Sequence, residues 1–189
     1  TAVGYMAGST QSTANHCTLV GDAALSMATG SENTALGSNT GASQNLTGSN
    51  NTLIGYSAQQ SANNVSNEIT LGNSSVATLR CQVTSITALS DRRDKTDINT
   101  LDLGLDFIDS LKPVKFKWQT RDGKGPKGYE AGFIAQDFQQ VQKDNDADYL
   151  GLVLESNPEK LEATPGKLIP ILVKAIQELK QEIELLKSK

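Results

Sequence analysis

An apolar pair closed by glycine recurs through the first half of the chain, at Ala2-Val3-Gly4, Leu19-Val20-Gly21, Ala35-Leu36-Gly37 and Leu53-Ile54-Gly55, with a weaker copy at Thr70-Leu71-Gly72. The glycines at 4, 21, 37, 55 and 72 lie 17, 16, 18 and 17 residues apart. Thr18, Thr34, Thr52 and Thr70 lead the apolar residues, and a small residue follows each glycine by three: Ala7, Ala24, Thr40, Ala58 and Ser75. A period this short leaves room for one structural unit per repeat, too little to fold alone. The β-branched and apolar residues suit a short strand, and the glycine supplies a backbone angle that other residues resist. Asn and Ser clusters such as Gly48-Ser49-Asn50-Asn51 and Asn63-Asn64 supply turns. Each repeat therefore reads as one rung of a β-helix or β-roll. Two or three modest apolar side chains per rung do not offset the ordering of its residues at about 1–2 kcal/mol each. A rung must share its core with neighbouring rungs and with other chains.

Composition divides the chain. Gly, Ala, Ser, Thr and Asn dominate from Thr1 to about Leu79, where Tyr5 and Tyr56 are the only aromatic residues; from about Ser90 charges become dense and Phe, Trp and Leu appear. Two modules are expected, a stalk over residues 1–80 and a charged unit over 91–189, joined by a junction at 81–90. The repeats are already running at Thr1, so the sequence is expected to be a piece of a longer chain. Net charge is -4 and the Lys and Arg residues are dispersed among acids, which gives no footprint for a phosphate backbone and argues against a nucleic-acid partner. Arg121, Lys124 and Lys127 near Trp118 do not change this, since Trp118 is expected in the small core. Apolar runs such as Ile169 to Val173 are too short to cross a bilayer, and no membrane insertion is expected. Cys17 and Cys81 form no CxxC, and the neighbours His16 and Cys17 would point to opposite faces of a strand, so no metal and no cofactor are expected. Triplets such as Asn45-Leu46-Thr47 fit the glycosylation pattern through composition alone.

The junction carries the chemistry. In Leu89-Ser90-Asp91-Arg92-Arg93-Asp94-Lys95, a serine precedes a lysine by five residues. A neutral lysine amine can take a serine proton without a histidine, and His16, the one histidine, is remote in sequence. On spacing alone, such a pair is usually two solvated surface residues.

Beyond the junction, Leu103, Phe107, Ile108 and Leu111 have helical spacing that Pro113 ends, and Val114, Phe116 and Trp118 alternate with polar residues as in a half-buried strand. A loop over Arg121 to Gly128, a return strand over Tyr129 to Ile134, a short helix near Gln136 to Val141 and a strand near Tyr149 to Leu154 complete a small α+β unit. A long helix over 169–187 begins near Pro170 and places Ile169, Ile176 and Ile183 at one heptad position and Leu172, Leu179 and Leu186 at the other. That is a coiled-coil seam; Ile at the first position with Leu at the fourth favours two strands, and the alternative is a helix packed on its own domain.

The repeats resemble the heads of trimeric autotransporter adhesins and the β-helical shafts of phage fibres. Ser-Asp-x-Arg-x-Lys at 90–95, Gly132-Phe133-Ile134-Ala135-Gln136-Asp137 and Leu168-Ile169-Pro170-Ile171-Leu172-Val173-Lys174-Ala175-Ile176-Gln177-Glu178-Leu179, in this order, resemble the self-cleaving intramolecular chaperone found at the C-termini of phage endosialidases, tail fibres and neck appendages, and in some membrane-anchored transcription factors. The resemblance implies a trimeric, all-β repetitive stalk followed by an α+β chaperone domain with a coiled-coil helix. It implies a homotrimer in a virion tail fibre, spike or appendage, whose chaperone acts in the host cytoplasm and whose stalk could meet a host-surface receptor. It also implies cleavage between Ser90 and Asp91, with Ser90 as nucleophile and Lys95 as base, and with Arg93, Glu130 and Gln136 as supporting candidates. For that role Lys95 must lose its proton near neutrality, through burial or through Arg92 or Arg93 nearby, and an unusual or broken backbone is expected at Ser90–Asp91. The Ser90 hydroxyl attacking its own carbonyl would close a strained four-membered ring, whereas attack on the Leu89 carbonyl would cut one bond earlier; both routes stay open. The competing reading is a structural or receptor-binding fibre tip that does not cleave. The stalk repeats and the lack of a basic face disfavour a transcription factor.

Overall fold

The computed structural model describes residues 1–10, 13–43, 45–83, 85–121, 123 and 125–189. Two compact units emerge: the first comprises Thr1–Thr78, Trp118–Gly128 and Ser156–Lys160, the second Leu79–Lys117, Tyr129–Glu155 and Leu161–Lys189.

In the first unit each repeat contributes one short strand. β1 (Ala2–Val3), β2 (Thr18–Val20), β3 (Thr34–Leu36), β4 (Thr52–Ile54) and β5 (Ile69–Leu71) form a parallel sheet in sequence order. Pairing keeps equivalent residues abreast, with Leu19 beside Ala35, Ala35 beside Leu53, and Leu53 beside Thr70. Because successive strand residues face opposite ways, Leu19, Ala35 and Leu53 are buried while Val20, Leu36 and Ile54 are exposed on the other face. The small residues three positions after the glycines, Ala24, Thr40 and Ala58, are fully buried, and Leu25, Ala28 and Leu46 fill the rest of this narrow core.

Polar side chains fix the rise from rung to rung. Buried Asn33 and Asn51 stand just before β3 and β4; the Asn33 Oδ1 accepts from the Asn51 backbone N–H at 2.9 Å, and the Asn51 Oδ1 accepts from the Glu68 N–H at 3.0 Å. The Asn33 amide donates to the carbonyls of Gly30 and Gly48, each at 3.0 Å. Buried amides satisfied in this way tolerate no slip in spacing. Cys17 occupies the same column before β2 and is buried, whereas the adjacent His16 is exposed, so the two do not converge. The corners repeat as well: Met6, Ala23, Asn39 and Ser57 take left-handed φ of 51–55°, and His16, Glu32, Asn50 and Asn67 take 57–63°.

Gly48 marks the tightest approach, since a Cβ there would lie 1.7 Å from the Val65 carbonyl oxygen, a backbone atom of the next rung. Gly48→Ala should therefore destabilise this unit by about 1–3 kcal/mol or more, read as a lower denaturant midpoint of its β-sheet circular dichroism. An unchanged midpoint would show that the rungs are not held at this spacing.

The second unit packs three helices against two small hairpins. α1 (Leu105–Ser110) leads to β6 (Val114–Phe116), which pairs antiparallel with β7 (Glu130–Gly132); α2 (Ala135–Asp144) follows, then β8 (Val153–Leu154) paired with β9 (Glu162–Ala163), and finally α3 (Ile169–Lys187). Phe107, Phe138, Leu152, Leu168 and Ile171 form the core, with the Phe133 and Phe138 rings 4.6 Å apart. Trp118, expected in this core, lies beyond the end of β6, is 48% exposed and groups with the first unit. The expected strand at 149–154 is a tight turn at Asp148–Leu150 followed by the two-residue β8. In the loop after Trp118, Asp122 and Lys124 lie outside the described residues.

Two faces of α3 differ sharply. Leu168, just before it, and Ile171 and Ala175 are buried against the unit, while Ile169, Leu172, Ile176, Leu179, Ile183 and Leu186 are all exposed, Ile176 at 65%. Glu178 reaches back to the start of α1: its Oε2 accepts from the Leu105 N–H at 2.7 Å, and Oε1 lies 3.1 Å from Lys174 Nζ. The Leu105 amide first, then Lys174, hold this carboxyl below its ordinary value of 4.5. A lowered folded pKa adds stability that is complete above the unfolded value and is lost as pH falls through the folded one. Amide exchange at Leu105 should accordingly accelerate, relative to the global unfolding rate, as pH is taken below 4.5. Equal protection on both sides of that pH would remove the ionic character of this contact.

Candidate active site

The segment from Leu79 to Thr100 is exposed throughout its described residues. Leu79, Val83, Ile86 and Leu89 stand in solvent, the last two at 99% and 98% exposure. Within it one turn is well built. Asp91 is the N-cap of a 3-10 turn at Arg92–Asp94, as expected for a short side chain whose oxygen can replace the missing backbone acceptor. Its Oδ1 accepts from the Arg93 N–H at 2.8 Å, and the Arg93 guanidinium closes on the same carboxylate, with Nη2 at 2.6 Å from Oδ2 and Nε at 3.1 Å from Oδ1. The Arg93 side chain, then its backbone amide, hold the Asp91 carboxyl below its ordinary range. The clasp therefore persists at neutral pH and opens only as pH falls through the lowered Asp91 value.

The turn reverses the chain between residues 90 and 95. The Lys95 N–H closes it on the Arg92 carbonyl at 3.2 Å, and Lys95 leaves in an extended conformation that sends its side chain back toward the start. Lys95 Nζ then donates to Ser90 Oγ at 2.6 Å. A hydroxyl and an amine at this distance can exchange a proton once the amine is neutral.

The other expected participants fall elsewhere. Arg93 is occupied by Asp91, on the same side of the junction bond. Glu130 sits on β7 and Gln136 in the first turn of α2, whereas Ser90 and Lys95 flank the turn at Arg92–Asp94. The expected distortion at Ser90–Asp91 is absent: Asp91 has φ −67° and ψ 137°, ordinary extended values, and Ser90 shows no positive φ. Nor is Lys95 buried within one chain. Sequence reasoning treated Asp91 only as the residue after the cut; the signal for its capping role was an Asp placed two residues before an Arg at the start of a tight turn.

Residues 90–147 match the family described as the chaperone of endosialidase, a family of self-cleaving peptidases. The matched stretch begins on Ser90 itself and runs through α1, the β6–β7 hairpin and α2. The resemblance read from the sequence thus holds over that stretch, which is similar to a family of intramolecular chaperones with self-cleaving peptidase activity. Neither curated proteins nor solved structures gave a match.

Proposed function

We propose that residues 91–189 gather three copies of the chain, let the repetitive stalk of residues 1–80 form between them, and are then released by autoproteolysis at Ser90–Asp91. The observation that carries this reading is the 2.6 Å contact between Lys95 Nζ and Ser90 Oγ, at the first residue of the family match. Lys95, as the neutral amine, takes the Ser90 proton while Oγ attacks a carbonyl, and returns it to the departing Asp91 nitrogen; water then frees the acyl group, leaving a carboxylate on one fragment and an ammonium on the other. Only attack on the Ser90 carbonyl, through the strained four-membered ring, releases the Asp91 nitrogen in this way; attack on the Leu89 carbonyl would instead expel the Ser90 nitrogen and, after water, cut one bond earlier.

Two apolar surfaces support assembly. The heptad residues of α3 are exposed, and Val3, Val20, Leu36, Ile54 and Leu71 form an in-register exposed column on the parallel sheet. Apolar stripes of this length favour burial by other copies. Three copies accord with the resemblance of the stalk to trimeric fibres, against the two-strand preference of an Ile and Leu seam. The setting proposed is a virion tail fibre, spike or appendage, with the chaperone acting in the host cytoplasm. Removing the assembly factor would leave a fibre whose persistence is kinetic.

An attached, non-cleaving tip is the second reading, favoured by the unstrained backbone at Asp91 and the exposure of Lys95. Lys95→Arg separates them, because a guanidinium does not deprotonate in such a site. The variant should assemble as the parent does by sedimentation and cut at least about a thousandfold more slowly on denaturing gels. Cleavage at the parent rate would remove Lys95 from the chemistry.

A further inference from the structure

Between the Ser90–Lys95 pair and the body of the second unit runs an exposed arm, and its first fastening to that body is at Leu101 to Leu105. Leu101 and Leu103 pack on the core, and Leu105 is held by Glu178. This fastening is unusual in its parts. Gly104, the N-cap residue of α1, makes no side-chain cap of its own. The cap comes instead from Glu178, 73 residues away on α3. A Cβ at Gly104 would lie 2.0 Å from Glu178 Oε2 and 2.6 Å from Oε1, so any side chain at 104 would displace the carboxylate, the mobile end of Glu178, from its place beside Leu105. Lys174, one turn earlier on α3, holds the other carboxylate oxygen. Glu178 stands between Ile176 and Leu179 of the exposed seam, on the flank of α3 that turns toward α1.

We infer that Glu178 is a positioning residue for cleavage, coupling the placement of α3 to the point from which the Ser90–Lys95 arm leaves the unit. The inference rests on the self-cleaving reading above. Where the seam fixes α3 against other copies, Glu178 fixes α1 against α3, and the arms depart from equivalent points. Without the clip, α1 has no capped N-terminus and the root of the arm samples more positions, so the fraction of time in which the pair meets its surroundings productively falls. A rate limited by that fraction falls with it.

The test is a double-mutant cycle on the full chain, with cleavage rate on denaturing gels, trimer content by sedimentation and amide exchange at Leu105 as readouts. Glu178→Ala should slow cleavage about tenfold, as expected for loss of a charge-assisted hydrogen bond, at unchanged trimer content and with faster Leu105 exchange. Gly104→Ala should do the same by displacing the carboxylate, and should add nothing in the Glu178→Ala background. Glu178→Gln keeps an acceptor for Leu105 and should stay within about threefold of the parent. Additive losses, or slowing that follows lost trimer in proportion, would make Glu178 merely structural and overturn the inference. Should the parent cleave and Glu178→Ala cleave equally fast, the inference falls alone; should the parent chain not cleave at all, the self-cleaving reading falls and takes the inference with it.

Discussion

Replacing Ser90 with alanine will abolish cleavage, by at least about a thousandfold as for loss of other serine nucleophiles, while leaving assembly intact. The hydroxyl makes one hydrogen bond, to Lys95 Nζ, and Ser90 is exposed, so its loss removes chemistry without removing packing. The Asp91–Arg93 clasp and the turn after it depend on neither Ser90 nor Lys95 side chains and should persist in the variant. Denaturing gels of the purified variant read the first effect and sedimentation the second. Normal cleavage would take the nucleophile's role from Ser90; loss of assembly would mean that the serine also holds the fold.

The second large effect concerns the stalk without its chaperone. Residues 1–90 expressed alone should aggregate or stay unfolded, whereas the same residues released after assembly should remain a stable trimer. The reason lies in how little each rung contributes. Of each of the three central strands, one residue faces the narrow interior, Leu19, Ala35 and Leu53, and the neighbouring Val20, Leu36 and Ile54 are left in solvent. Ordering a rung costs about 1–2 kcal/mol per residue, which two or three small side chains do not offset until other copies cover the outer column. The second unit has a self-contained core around Phe107, Phe138 and Ile171 and can form first. Sedimentation of the short chain against the matured product decides the matter; equal trimerisation without help would mean that residues 91–189 are not a chaperone.

What the sequence disclosed followed from periodicity. The apolar pairs fall on β1 to β5 with their glycines just after, and in the three central repeats the small residues three places later, Ala24, Thr40 and Ala58, are buried, because a repeat of nearly fixed length returns each residue to a like environment. Ser90 and Lys95 were visible as a local pair, and a single turn brings them together. The corners were not visible, since Met6, Ala23 and Glu32 are poor turn residues that here take left-handed φ, Ala23 and Glu32 with their backbone N–H bonded to the preceding rung. Trp118 was misplaced because the alternation continues two residues past the hydrogen-bonded end of β6 at Phe116. The Glu178 contact with Leu105 joins residues 73 apart and leaves no local pattern beyond a glycine ahead of a short helix. Arg93, one of the routes expected to lower the proton affinity of Lys95 alongside Arg92 and burial, pairs instead with the Asp91 carboxylate two residues away.

The central claim is that this chain cuts itself at one bond. The direct measurement is the intact mass of the purified full chain followed over time after assembly. Two products, residues 1–90 ending in Ser90 and residues 91–189 beginning with Asp91, appearing together in equal amounts and absent from the Ser90→Ala chain, are the expected result. A chain that stays whole in an assembled trimer, or that is cut at a bond remote from Ser90, would contradict it.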